Sequence, residues 1–274
     1  MNSGLSLRVT KDIIFKSLVA SLSFILMIPL LFIIYYITSK GLSAFSIEFF
    51  TQLPKPVGEV GGGVSNAIVG SLLLVCVACA LSIPLGIFTG IFLAENPKNK
   101  IAEYTKLSID TLQGIPSIVM GVIAYAWIVV PMGSFSAFSG GIALGLMMLP
   151  LIAKSTEETI KMLPYSLKEA AYALGASYPT VIIKVILPAA KNGIFSGIIL
   201  GIARITGETA PLLFTAFGNP FMSTNIFKSV NALPLLIFNY ATSPYQDWQT
   251  LAWGASLLLI LFVLTLSLIA KLIK

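Results

Sequence analysis

Long apolar runs separated by short polar stretches dominate the chain, and their lengths set the first expectation. A helix needs about 20 apolar residues to cross a bilayer. Runs near or above that length cover residues 15–37, 66–94, 109–131, 193–217 and 251–272, with a shorter one at 138–153. Six transmembrane helices are therefore predicted, with Pro84 expected to kink the second. Arg8, Lys11 and Lys16 before the first run resemble the start of a signal peptide. The run is longer than the roughly 7 to 15 apolar residues of a signal peptide, and no small-residue cleavage site follows, so we read a retained span. Residues 38–65, with Gly61, Gly62 and Gly63, form a loop on one side, and residues 95–106 a charged loop on the other. Between the last two runs lies a connection, 218–250, whose apolar patch 232–238 is too short to cross. It is expected to re-enter the membrane in part or pack on its face.

One polar interruption, residues 163–192, departs from this rhythm. Pro164 stops what precedes it, Ser166 and Glu169 have the spacing of a capping box, and Ala170, Ala171, Ala173 and Leu174 favour helix up to Gly175. Glycine there can take the positive φ that ends a helix. Ser177 and Pro179 then open a second helix through Val181, Ile182, Val185, Ile186 and Leu187 to Pro188. The expectation is a two-turn helix, a sharp turn and a second helix, between two spans. An amphipathic helix resting on the membrane surface would show a similar pattern.

Composition agrees with an integral membrane protein: 57% hydrophobic and 10% charged, against roughly 45 to 50% and 25% for soluble domains. Mean hydropathy is +0.94. The 274 residues contain no histidine, which excludes imidazole metal sites and Ser-His triads. Cys76 and Cys79 have C-x-x-C spacing but lie inside an apolar run with no second ligand pair, so we read them as small packing residues and expect no metal site. Three G-x-x-x-G pairs, Gly86/Gly90, Gly141/Gly145 and Gly197/Gly201, permit close helix approach, within the chain or, as the lesser option, at a subunit interface.

Positive charge is unevenly shared. Arg8, Lys11, Lys16, Lys98, Lys100, Lys106, Lys154, Lys161, Lys168, Lys184, Lys191, Lys271 and Lys274 fall on the side of the interruption, and only Lys40, Lys55 and Lys228 fall opposite. Basic loops stay inside, so the interruption and both termini are expected in the cytoplasm. The same bias accounts for the net charge of +6 without a nucleic-acid partner. The chain carries no G-x-x-x-x-G-K-[ST] phosphate loop, so any ATP and Mg would be bound by another polypeptide.

The fifth run holds the candidate chemistry. Arg204 and Glu208 stand i, i+4 near the expected middle of a span, and Pro211 removes a hydrogen bond to the Gly207 carbonyl, predicting a kink. A charge at mid-membrane costs about 2.5 to 3.5 kcal/mol on insertion scales, so both should face protein or water. The pair either neutralises itself as a structural unit or serves permeation. The turn Asp110, Gln113, Gly114, Ile115, Pro116, Ser117 likewise admits a plain helix start or a pathway-lining turn.

Glu169, Ala170, Ala171, Gly175, Leu187 and Pro188 reproduce the Glu-Ala-Ala-x3-Gly-x9-Ile-x-Leu-Pro signature of importer-type ABC permeases, with Val185 where Ile is usual. The resemblance implies a type I ABC permease fold, all-α in the membrane, with the motif forming a cytoplasmic coupling helix that docks in a cleft of an ATPase through Glu169, Ala170, Ala171 and Gly175. Gly207 to Leu212 (GETAPL), Gly114 to Val119 (GIPSIV) and Asn66 to Gly70 (NAIVG) narrow it to the PstA branch of the phosphate-specific importer permeases, over most of residues 60–270. In that case residues 65–274 form the permease domain, with the coupling loop at 154–192, preceded by a helix and loop at 1–64. The implied partners are a PstC-like second permease, two copies of a PstB-like ATPase and an external PstS-like phosphate-binding protein, in a prokaryotic cell membrane. Arg204, Glu208 and the adjoining Thr209 are the candidate pathway residues. Phosphate itself rests on the resemblance. Two other classes compete: a permease for another oxyanion or small solute, and a membrane-embedded enzyme, which would need a nucleophile, base or metal cluster that the spans do not offer.

Overall fold

The computed structural model describes residues 3–59 and 61–273. Apolar side chains drive the runs out of water, and in hydrocarbon a backbone must satisfy its own N–H and C=O groups, so the runs become helices. Among the described residues there is no strand, only an isolated bridge between Phe217 and Val230. The helices are α1 (Ser3–Gly41), α2 (Ile47–Thr51), α3 (Ser65–Glu95), α4 (Lys100–Gly114), α5 (Ser117–Met132), α6 (Ala137–Lys161), α7 (Ser166–Ala173), α8 (Tyr178–Thr206), α9 (Ala210–Thr215), α10 (Leu233–Ala241) and α11 (Gln246–Ile273). Single π turns sit inside α5 at Tyr125–Val129 and inside α8 at Ile182–Ile186.

Among these, α1, α3, α6, α8 and α11 are long and apolar enough to cross a membrane, and α4 with α5 makes a sixth candidate if the two are taken as one span bent by 105°. The expected all-helical membrane fold is observed, with several boundaries moved. The charged loop before the third span shrinks, because Lys100 already starts a helix capped by the Asn99 side chain. Residues 109–114 belong to this amphipathic α4 rather than to the span, and the chain turns sharply at Ile115 and Pro116. The fourth span is longer than its apolar run, continuing to Lys161. Helix α3 passes through Pro84 as one continuous element. The patch at 232–238 becomes α10, whose Leu235 and Leu236 are fully buried.

Helices α3 and α6 form the centre of the molecule. Leu74 and Ala78 of α3 meet Leu144, Met148 and Ile152 of α6, with Ile205 and Leu212 closing the cluster. All three glycine pairs work inside the chain: Gly86 lies on Ile152 and Gly90 on Thr156, Gly141 on Val77 and Gly145 on Leu81, Gly197 on Ser155 and Gly201 on Met148. A Cβ at Gly86, Gly90, Gly141 or Gly197 would collide with the facing residue, while at Gly145 and Gly201 it would only crowd the end of a flexible side chain. Burial therefore runs from the centre outward. In α6, 67% of the apolar window is buried, whereas in α1 none is. Helix α1 meets the rest at its C-terminal end, where Gly41 abuts Leu257 and Tyr36 sets its ring edge-on to Trp253. Cys79 packs against the central cluster, but Cys76 is exposed, so only one cysteine is the packing residue expected.

The charges sort to two ends. At one, Lys161 and Lys106 flank the buried Glu157, and Lys168 meets Glu95. At the other, the Lys228 carbonyl accepts from Ala137 N–H at the start of α6 and the Lys55 carbonyl accepts from Trp248 Nε1 near the start of α11.

Candidate functional site

Two places collect the residues singled out in the sequence. The first is the loop between α6 and α8. Helix α7 forms as expected, but Ser166 is its first helical residue and Tyr165 its N-cap, with no side-chain cap, so the capping box is not made. Backbone turns do that work: Leu167 N–H donates to Pro164 and Lys168 N–H to Tyr165. The C-terminal end follows the expected chemistry. Gly175 has φ +79°, its N–H donates to Tyr172, and Ala176 N–H reaches back to Ala171. Those two bonds make a Schellman motif, which needs a residue in the left-handed region. Glu169, Ala170 and Gly175 are exposed, as are Met162, Tyr165 and Leu174, while Ala171 is buried beneath them against Val181, Ile182 and Ile186. Three of the four expected docking residues thus form a surface, and the fourth is its floor.

The second place is the middle of the bundle. Helix α8 starts at Tyr178, where Ser177 and Pro179 were expected to open a helix, and runs on into the span expected from Gly193, because Pro188 takes a first-turn position and a π turn joins the two parts. It ends at Thr206 rather than continuing to Phe217. Gly207, Glu208 and Thr209 are non-helical, and Pro211 opens the short α9. The predicted kink is therefore a break. Arg204 lies in the last turn of α8 and Glu208 beyond its end, so the pair does not share one continuous helix face.

Packing fixes the depth of this break. Gly201 rests on Met148, which is close to the midpoint of α6, and Arg204 is less than one turn further along. Arg204 Nε stands 3.9 Å from Glu208 Oε1, with 46% of the Arg204 side chain exposed and 19% of Glu208. That separation is an ion pair but exceeds the 2.7 to 3.2 Å of a hydrogen bond. Thr209 is half-buried beside them. The structure places Arg204 and Glu208 together level with the middle of α6, with Thr209 next in the chain and the Arg204 side chain nearly half exposed. Beyond α9, Phe217 takes a left-handed backbone, φ +64°, and stacks on Phe135 with ring centroids 4.5 Å apart.

The turn at Asp110 to Ser117 belongs to neither place. Lys154 of α6 donates to Gln113 Oε1 at 2.6 Å and pairs with Asp110 Oδ1 at 2.6 Å, which pins the bend to the central helix. Two polar contacts went unread in the sequence: Lys168 with Glu95, and Asn66, whose side-chain amide donates to the Asn219 and Pro220 carbonyls. Asn66 was visible only as part of a motif, and no local spacing connects it with residue 219.

Residues 82–274 match the family model of the binding-protein-dependent transport system inner membrane component. Across the chain, similarity reaches 44% identity over 245 residues with the phosphate transport system permease protein PstA of Yersinia pestis, covering 89% of this chain and 83% of that one. The chain belongs to the PstA family of ABC permeases. Another PstA, from Haemophilus influenzae, is 39% identical over 262 residues, 94% of this chain and 93% of its own. The probable PstA of the archaeon Methanocaldococcus jannaschii is 38% identical over 262 residues, 95% and 92%. Among solved structures, an inward-facing conformation of the MetNI methionine ABC transporter superposes with a TM-score of 0.61 at 19% identity, covering 77% of this chain and 96% of that chain. At that identity the likeness speaks for the type I permease fold. A PstA-family permease is a multi-pass subunit that works with an ATPase and a substrate-binding protein and is not itself the catalyst of ATP hydrolysis.

Proposed function

We propose that this permease lines one half of an ATP-driven import channel for inorganic phosphate, with Arg204 as the group that meets the anion at mid-membrane. The observation that carries the reading is an arginine side chain nearly half exposed level with the middle of α6, beside a broken helix and loosely held by Glu208. A charge so placed cannot face lipid without a penalty of about 2.5 to 3.5 kcal/mol, so its open side belongs to water and a second permease of the PstC type. Guanidinium stays cationic and offers paired N–H donors to an oxyanion. In the resting channel Glu208 holds that charge, and phosphate replaces the carboxylate when the pathway opens. Glu208 and Thr209 then accept a hydrogen bond from the P–OH of protonated phosphate, a donor that sulfate lacks at neutral pH.

In this reading the end bearing Lys161 and Lys168 is cytoplasmic, as are both termini, in keeping with the excess of basic residues there. Exposed Glu169, Ala170 and Gly175 with the apolar Tyr165 and Leu174 dock in a PstB-type ATPase dimer, which holds the ATP and Mg. A PstS-type protein delivers phosphate to the opposite mouth, and the membrane is the prokaryotic cell membrane. The test is uptake of radiolabelled phosphate by the four-component complex in vesicles, with sulfate as competitor. ATP-dependent phosphate uptake unaffected by sulfate, and lost with Arg204→Ala, is expected. Transport of a different solute in place of phosphate overturns the substrate, and full uptake by Arg204→Ala overturns the site.

A further inference from the structure

Helix α7 is held to the membrane body by two kinds of contact. Ala171 and the start of α8 pack with Ile87, Ile91 and Ala94 of α3. Apolar packing is non-directional, so by itself it lets a two-turn helix roll or slide. The second contact is directional: Lys168 Nζ donates to Glu95 Oε1 at 2.5 Å, with the two side chains only 16% and 10% exposed. Glu95 is the last residue of α3. Separating this pair leaves a charge uncompensated in a largely buried place, which is far more costly than losing a surface pair. Whatever moves α7 therefore carries the end of α3 with it.

Helix α3 can pass that movement on. Its 31 residues are unbroken, about 46 Å at 1.5 Å per residue. At the far end Asn66 donates to the Asn219 carbonyl at 2.8 Å and the Pro220 carbonyl at 3.0 Å, and Ser71 Oγ accepts from Leu233 N–H at 2.8 Å. Those partners belong to the segment that follows α9, the half-helix directly after the Glu208 break. One continuous helix thus joins the docking helix to the opposite mouth, tied at each end by named polar contacts.

We propose that Lys168 and Glu95 are positioning residues of the transport cycle: their ion pair is the strut that locks the docking helix to α3, so that movement of the ATPase is delivered to the far mouth. The inference rests on the reading of α7 as the ATPase-docking helix. It assigns a role to Lys168 separate from that of its neighbour Glu169, which faces out toward the ATPase.

The experiment measures phosphate imported and ATP hydrolysed on the same vesicles containing the complete complex, and takes their ratio. If the wild-type complex imports no phosphate, the underlying functional reading fails, and the variants are not needed to see it. With wild-type import established, Lys168→Met and Glu95→Gln are each expected to lower phosphate per ATP by about fivefold or more, the lower range of an ordinary coupling effect, while the complex assembles and hydrolyses ATP. The exchanged pair Glu95→Lys with Lys168→Glu is expected to restore the ratio. Should a single variant fail to assemble, the double variant Glu95→Gln with Lys168→Met leaves no buried charge unpaired and is expected to show the same loss of coupling. A ratio equal to wild type in the assembled variants overturns the strut, because a merely structural or docking role lowers import and hydrolysis together. Failure of the exchanged pair to recover coupling also overturns it.

Discussion

Arg204 differs from a generic membrane charge in what surrounds it. An arginine that only balanced a glutamate would be expected to close on it at hydrogen-bond distance, whereas the Arg204 to Glu208 separation is 3.9 Å with the guanidinium half open. Arg204→Lys keeps the charge but loses the planar fork, and we expect uptake to fall by at least about tenfold, the worth of one charge-assisted hydrogen bond. Glu208→Gln keeps the shape but loses the carboxylate, and is expected to admit sulfate as a competitor of phosphate uptake. Competition assays on the two variants check both outcomes: normal phosphate uptake by the lysine variant removes bidentate recognition, and an unchanged sulfate profile in the glutamine variant removes the selectivity role. The pair was legible in the sequence because two charges stand four apart in an apolar run. Its geometry was not, since Gly207 and Pro211 break the helix between them, and a proline can as easily kink a helix as end it.

Among elements, the docking helix was the most legible, and for a local reason. Gly175 ends it through two backbone bonds that only a left-handed residue permits, and that constraint is written in one residue type. Its start was misread because the capping box depends on where Ser166 falls, and here the helix begins one residue earlier than that motif requires. Gly175→Val probes the turn: a Cβ at this position meets nothing within 4 Å, so the main cost is backbone strain of about 1 to 3 kcal/mol. We expect the variant to insert in the membrane normally and to lose ATPase association, read by co-purification; wild-type association and uptake would remove the turn from the coupling machinery. Long-range ties such as Asn66 to Asn219 were illegible for the converse reason, because 153 residues separate the partners and no period relates them.

On the scale of the molecule, hydropathy located five spans that are single helices, with the predicted third span instead divided between α4 and α5, and glycine spacing found close helix contacts. What hydropathy missed were ends held by polar side chains, such as α6 beyond residue 153 and α4 beside it, where Lys154, Asp110 and Gln113 satisfy one another. The orientation we propose rests on the charge bias, and cysteine labelling from each side of the membrane tests it. Single cysteines at positions 55 and 228 are expected to react only from outside, and one at position 161 only from inside. Reaction of position 228 from inside alone overturns the assigned topology.

The gradient of burial also bears on how the chain is made. Helix α1 precedes the other spans in the chain, and its most apolar stretch has a mean hydropathy of 2.6 with none of it buried in the protein. It is apolar enough to enter the bilayer unaided, and Arg8, Lys11 and Lys16 in its first half bias the side on which that end is held. The window of α6 has a mean hydropathy of only 1.6 with 67% buried; it is solvated by α3 rather than by lipid, and settles only once α3 is there to receive it. The order of synthesis supplies α3 before α6, so the most protein-like segment arrives when its partner is already in place, whereas α1 needs no partner to be solvated.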